Sequence, residues 1–454
     1  MIEMTFKNIA MSIKGTMNDV AKQVQNKSIK GVSIDTRTIE SENLFVPFIG
    51  ENVDGHRFID MAFEKGASLS LTEREDDLNL AHPVILVENG LNALQQLAKA
   101  YLKIVNPVVI GITGSNGKTT TKDMIECLLQ PYYKVQKTIG NFNNEIGLPL
   151  TILQLEHDSQ ISILEMGMDQ MGDIDFLSRL TSPNIAVLTN VGESHIEKLG
   201  SREAIARGKY EIVNGLKPEG TFIYSGDYPL LNGLIKHNPP HHAVSTGSSS
   251  ENDYIISNVI QTKSGTRFNM TGVESEIHIP QLGLHNAQNA ALALQVAATL
   301  DIPPDKAHHH FSDLKVTDMR MSQSRLESGA LLINDAYNAS VSSMKSALHS
   351  VVNIKADKRI VVLADILELG DYTEELHREV GAYINTLGSD ITMVITYGER
   401  ARFIRDAITH DRKQHIEDID TIVEFLKEYL DESTVLLLKG SRGMKLEQIA
   451  EKLV

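Results

Sequence analysis

Residues 107–129 read PVVIGITGSNGKTTTKDMIECLL: an apolar run, a turn holding two glycines and a helix-like segment in immediate succession. A strand that ends in such a turn and continues as a helix aims consecutive backbone N–H groups at one point, beside the positive end of the helix dipole. Gly114 and Gly117 permit the tight turn, Ser115 and Asn116 fill it, Lys118 brings a cation, and Thr119 offers a hydroxyl to Mg²⁺. The loop from Thr113 to Thr120 is therefore expected to hold the phosphates of ATP or another nucleoside triphosphate. Only two residues separate its glycines, where the commoner loop has four before its Gly-Lys pair, so the spacing points to a subclass.

Working outward, 454 residues suggest about three domains at ~150 residues each. The segment 107–312 carries the apolar strands VVIGI, ISILEM, IAVLTN and TFIYSG with helices between them, the pattern of a parallel sheet covered on both faces. Between His241 and His285 short strands with turn residues (TKSGTRF, NMTGVE) predict antiparallel hairpins appended to that sheet, and a helix over Asn286–Leu300 closes the unit. Residues 1–106 alternate short strands (GVSID, LFVPFIG, VILVEN) with helical stretches and end in the helical LNALQQLAKAYLKIV, which Asn106-Pro107 breaks. Residues 313–454 alternate again through LLIND, RIVVLAD, ITMVITYG and VLLLKG. The fold class is α/β in three domains: a small mixed N-terminal domain, a central parallel-sheet phosphate-loop domain with an antiparallel addition, and a Rossmann-like C-terminal domain.

Forty-three basic against 59 acidic residues leave a formal charge of −16, which repels phosphodiester backbones and argues against nucleic acid as a partner. Cys127 is the sole cysteine, so no internal disulfide or cysteine-rich metal site can form, which suits a reducing compartment. The opening MIEMTFKNIAMSIKG is too mixed for a signal peptide, and no run approaches the ~20 apolar residues of a membrane span. A soluble, cytoplasmic monomer is expected.

In an open parallel sheet ligands bind beyond the carboxyl ends of the strands. There ISILE delivers Glu165, and IAVLTN delivers Thr189 and Asn190 with His195 five residues on. Thr119, Glu165 and His195 are the candidate metal ligands, although Glu165 alone could cap a helix and His195 alone could bond a carbonyl. The HHH at 308–310 lacks spaced carboxylates and reads as solvated surface.

Together these phrases resemble the Mur ligase family, ATP-dependent amide-forming enzymes of peptidoglycan precursor synthesis, over nearly the whole chain. The resemblance implies Glu165 and His195 as magnesium-site residues, and Lys209 in IARGKYEI as a lysine carbamylated by carbon dioxide, whose plain alternative is a surface ion pair. It implies that Asn289 in GLHNAQNA contacts nucleotide, that Arg320 in TDMRMSQ reaches the γ-phosphate, and that Asp335, Tyr337 and Asn338 in INDAYNAS embrace ribose and adenine. Lys118, Lys209, His195 and Arg320 then form the catalytic set. Val341 stands where many relatives have proline, which predicts an altered helix start rather than lost binding.

SIDTR, LFVPFIGENVDGHRF, GNFNNEIGLP, LADILELG and KGSRGMKLE resemble the family branch that joins D-alanyl-D-alanine to a UDP-N-acetylmuramoyl tripeptide, and the DNPR phrase of the preceding branch is absent. By that resemblance Asp35, Thr36, Arg37 and His56 are candidates for the uridine-diphosphate end. Asn141, Asn143 and Asn144 are candidates near the muramoyl peptide, and Asp365, Glu368, Ser441 and Arg442 near the incoming dipeptide. Turns, ion pairs and helix caps are the bland alternatives for each. A sister ligase, a folylpolyglutamate synthetase or a non-catalytic ATP-gated protein are the rival functions.

Overall fold

The computed structural model describes residues 1–453 apart from Lys263 and Val316. Lys263 belongs to the TKSGTRF phrase and lies outside the described residues.

The central sheet has nine strands in the order Ile277–Ile279, Gly265–Met270, Tyr254–Thr262, His242–Gly247, Thr221–Ser225, Ile185–Leu188, Val108–Thr113, Ile161–Glu165, Val135–Lys137. The six strands from Thr221–Ser225 to Val135–Lys137 and His242–Gly247 pair in parallel, and only the pairings among Tyr254–Thr262, Gly265–Met270 and Ile277–Ile279 are antiparallel. The addition is thus smaller than the sequence suggests, because His242–Gly247 extends the parallel sheet. Val108–Thr113 lies between the strands that precede its two neighbours' loops, Ile161–Glu165 on one side and Ile185–Leu188 on the other, so its carboxyl end opens at a topological switch point.

The helix Lys118–Leu129 buries Met124, Ile125, Leu128 and Leu129 completely. At roughly 1.5–3 kcal/mol for each fully buried aliphatic side chain, that face alone anchors the phosphate loop to the core. Its neighbour is the alanine-rich helix Leu284–Thr299, whose small, strongly helix-forming residues allow a close approach between two layers.

The N-terminal unit is a five-stranded sheet, Thr16–Met17, Val84–Leu86, Leu69–Thr72, Leu44–Phe45 and Val32–Ser33, with the helix Gly90–Val105 leading out of it. The last unit is a six-stranded sheet in the order Ser322–Arg325, Leu331–Asn334, Thr434–Lys439, Lys358–Ala364, Met393–Tyr397, Lys413–His415, parallel except for its first pair. Residues 314–321 connect it to the central unit, and among the described residues no helix is long and apolar enough to cross a membrane.

Candidate active site

Gly114 (φ +153°) and Gly117 (φ +80°) turn the chain from strand to helix. A Cβ on Gly114 would lie 1.9 Å from Thr189 Oγ1 and one on Gly117 2.7 Å from Asn289 Oδ1, so contact as well as backbone reserves both positions for glycine. The neighbouring strand end pins the loop. Thr189 Oγ1 and Asn190 Nδ2 donate to the Asn116 carbonyl at 2.6 and 2.8 Å, and Asn116 N donates to Asn190 Oδ1 at 2.9 Å. The Lys118 ammonium bonds the Gly114 carbonyl at 2.8 Å, and desolvation lowers its pKa against the opposing pull of Glu165.

Glu165 is buried. Thr119 Oγ1 donates to its Oε2 at 2.9 Å, Asn143 Nδ2 donates to its Oε1 at 3.0 Å, and Lys122 Nζ lies 3.7 Å from Oε2. Asn143 therefore braces the carboxylate of the metal candidate. A hydroxyl and a carboxylate so close to a phosphate loop give a hard cation two oxygens, and Mg²⁺ ordinarily takes the remainder from phosphates and water, so the donor set fits it. Among the described residues no group of three or more His, Cys, Asp or Glu could hold a metal unaided.

His195 (φ +64°) turns its Nδ1 toward the C-terminal unit, 2.8 Å from Glu368 Oε2 and 3.5 Å from Asp169 Oδ1. This contact holds the Glu368 carboxyl below its usual range. Lys209, in the helix Arg202–Tyr210, is 2% exposed. Burial pushes its pKa well below the ordinary lysine value, and Lys118 repels its charged form further. A readily neutralised amine is the chemical requirement for carbamylation.

Arg320 stacks over the Tyr337 ring at 4.1 Å, and its Nε is a buried donor with no partner among the described residues. Asp335 Oδ1 accepts from Met321 N at 3.1 Å while Oδ2 meets Lys439 Nζ at 2.7 Å. These residues and Asn338 face Asn116, Gly117, Thr120 and Asn289 across a cavity of about 740 Å³ between the two units. Asn116 Nδ2 bridges the same join, donating to Ser340 Oγ at 3.1 Å and Ser342 Oγ at 3.2 Å. Ser340 caps the helix Val341–Val352, which begins at Val341 by a capping box rather than by a proline.

A second, smaller cavity of about 120 Å³ brings His195, Glu368, Ser441 and Arg442 together. Asp365 does not line it: its Oδ1 accepts from Ala401 N at 2.7 Å, which makes it a loop brace. Ser441 Oγ accepts from Leu367 N at 2.9 Å, and the fully buried His377 accepts from Ile366 N at 3.0 Å through Nε2, so the LADILELG loop is held from both sides.

The N-terminal candidates lie apart from both cavities. Arg37 grips Asp35 through Nε and Nη2, pulling the Asp35 pKa to about 2, with Thr36 half-buried between them. The His56 ring is buried, with Nδ1 2.7 Å from Asp54 Oδ1 and Nε2 accepting from Glu73 N at 3.0 Å, so both its nitrogens are committed within the fold. Asn144 Oδ1 accepts from Ile146 N at 3.2 Å and Gly147 N at 2.8 Å in the turn before the helix Gly147–Leu153, and Asn141 is exposed.

Comparison with known proteins places this geometry. The Mur ligase middle domain matches residues 112–297, the Mur ligase glutamate ligase domain 319–442, and the Mur ligase family catalytic domain 28–102. The UDP-N-acetylmuramoyl-tripeptide--D-alanyl-D-alanine ligase of Bacillus subtilis (strain 168) is 46% identical over 460 aligned residues, covering 100% of this chain and 99% of that one. The chain belongs to the Mur ligase family. Among solved Mur ligases, MurF from Acinetobacter baumannii superposes with a TM-score of 0.91 at 25% identity, covering 100% of this chain and 99% of that one. MurF ligase from Thermotoga maritima in complex with ADP superposes with 0.84 at 28% identity, covering 93% and 97%.

Several residues at this Mur ligase's join carry no signal of their own in the sequence. Lys439 and Lys122 are buried cations whose partners are set only by tertiary contact. Ser340 and Ser342 follow a recognisable phrase, yet only the docking of two units shows them beside Asn116.

Proposed function

We propose that this Mur ligase uses ATP to join D-alanyl-D-alanine to the terminal carboxylate of a UDP-N-acetylmuramoyl tripeptide, in the cytoplasm and as a monomer. The observation that carries the reading is one cavity faced by both the phosphate loop and the Arg320–Asp335 segment. The end-to-end likeness to a ligase of that name supports the choice of substrates.

A carboxylate is a poor electrophile, so its oxygen must first become a leaving group. The tripeptide carboxylate attacks the γ-phosphorus, the bond to the β-phosphate oxygen breaks, and ADP departs from an acyl phosphate. The dipeptide amine then attacks the carbonyl, phosphate leaves, and the amine proton passes to solvent or a base. Lys118 and Arg320 spread the charge developing on the phosphoryl oxygens, and the loop N–H groups fix the phosphate chain. Thr119, Glu165 and His195 would hold Mg²⁺, which supplies further charge neutralisation. Carbamylation of Lys209 joins its neutral nitrogen to carbon dioxide with loss of a proton, placing an anion where Lys118 would attract it.

Asn289, Asp335, Tyr337 and Asn338 take the nucleoside. Glu368, Ser441 and Arg442 take the dipeptide at the second cavity, and Asp35, Thr36 and Arg37 the uridine diphosphate. Phosphate release that requires both the UDP-muramoyl tripeptide and D-alanyl-D-alanine is the expected result. Release stimulated by a single amino acid or by glutamate would replace this reading with that of a sister ligase.

A further inference from the structure

Lys439 ends the strand Thr434–Lys439 after an unbroken apolar run and is 1% exposed. A buried ammonium is tolerated only with its donors satisfied, and it has three. It donates to the Asp335 carbonyl at 3.2 Å and the Asn338 carbonyl at 3.0 Å, and forms an ion pair with Asp335 Oδ2 at 2.7 Å. All three oxygens belong to the turn that leaves the adjacent parallel strand Leu331–Asn334.

The consequences run outward from that point. Asp335 offers its other oxygen to Met321 N at 3.1 Å, Tyr337 N donates to the Met319 carbonyl at 3.2 Å, and the Tyr337 ring carries the Arg320 guanidinium. Met319 and Met321, on either side of Arg320, both adopt positive φ, +60° and +55°, so this segment needs outside contacts to keep its shape. One ammonium therefore fixes the places of Asp335, Tyr337 and Arg320 on the wall of the large cavity.

We propose that Lys439 is a positioning residue for nucleotide recognition: by locking the Asp335–Asn338 turn it sets this enzyme's discrimination for the ribose hydroxyls. The inference rests on the ATP-dependent reading above, in which Asp335 faces the sugar.

The test compares ATP with 2′,3′-dideoxy-ATP in ADP-release assays of the full-length chain, with both acceptor substrates present. Wild type is expected to favour ATP roughly tenfold or more in kcat/KM, about the worth of one well-placed hydrogen bond. Lys439→Met should bring the ratio close to one and raise the KM for ATP, while the KM for the muramoyl tripeptide stays unchanged. Lys439→Met combined with Asp335→Asn should discriminate no worse than Asp335→Asn alone, because the two act as a unit. If Lys439→Met does not fold, Lys439→Arg keeps the charge but not the geometry, and the same collapse of the ratio is expected. A wild-type ratio near one, an unchanged ratio in the folded variant, or multiplicative losses in the double variant would each overturn the proposal. Absence of any ATP-dependent product in wild type would instead overturn the ligase reading.

Discussion

Glu368 Oε2 lies 2.8 Å from His195 Nδ1, and both residues hold left-handed backbone conformations, φ +61° and +64°. A non-glycine residue in that region costs roughly 1–2 kcal/mol. Backbone strain is thus stored on each side of a single contact that joins the central unit to the C-terminal one. Glu368→Ala should lose the contact and keep the strain, whereas Glu368→Gly loses the contact and relieves the strain. Urea denaturation should show the glycine variant to be the more stable of the two by about 1 kcal/mol. Equal stabilities would mean that the turn at Glu368 is not strained in solution.

Gly117→Ala should be inactive with nucleotide while remaining folded. Its methyl group would meet Asn289 Oδ1 at 2.7 Å in a backbone of φ +80°. A stability loss of about 1–2 kcal/mol is expected, together with a large rise in the KM for ATP. Normal ATP affinity in a calorimetric titration would show that the loop and the helix Leu284–Thr299 can separate freely.

Lys122→Met removes a buried cation 3.7 Å from Glu165 Oε2 and leaves the carboxylate with its neutral partners Thr119 and Asn143. The expected cost is about 3 kcal/mol, much of it recovered in Lys122→Met/Glu165→Gln, where no uncompensated charge remains. Additive losses in the two single variants would contradict this pairing.

Lys209 makes stability depend on pH in a stated direction. Burial lowers its folded pKa below the ordinary 10.5. Between the lowered value and 10.5 the unfolded chain holds a proton that the folded chain has released, so stability rises with pH across that window. In buffer free of carbon dioxide, the stability difference between wild type and Lys209→Met should shift in favour of wild type as pH rises, and a flat difference would refute the shift. Lys209→Ala should lose roughly 100-fold or more in activity, the scale of a lost charge-stabilising group, and short carboxylates should restore part of it.

The phosphate loop was legible because strand, turn and helix are contiguous, and the apolar parallel strands because burial on both faces writes an unbroken hydrophobic run. Edge strands write no such run. Val135–Lys137 (VQK), Lys413–His415 (KQH) and Ser322–Arg325 (SQSR) are polar, as suits an exposed sheet border, and nothing in their sequence announces them. At the site, residues named by a local phrase could be found. Partnerships formed by folding could not: Asn143 with Glu165 spans 22 residues and Lys439 with Asp335 spans 104. His56 marks the opposite limit, since a polar residue in a suggestive phrase can have both its ring nitrogens engaged within the fold.

The bridge from Asn116 to Ser340 sets the first turn of the helix Val341–Val352 beside the first turn of Lys118–Leu129. Two helix dipoles from separate units then present their positive ends to one region. An anion arriving there is attracted by both units at once, and whatever it gains from the second is gained only while the two are together. Reciprocity requires that a triphosphate act as cement, drawing the units together by the same free energy by which their union tightens its hold on the triphosphate.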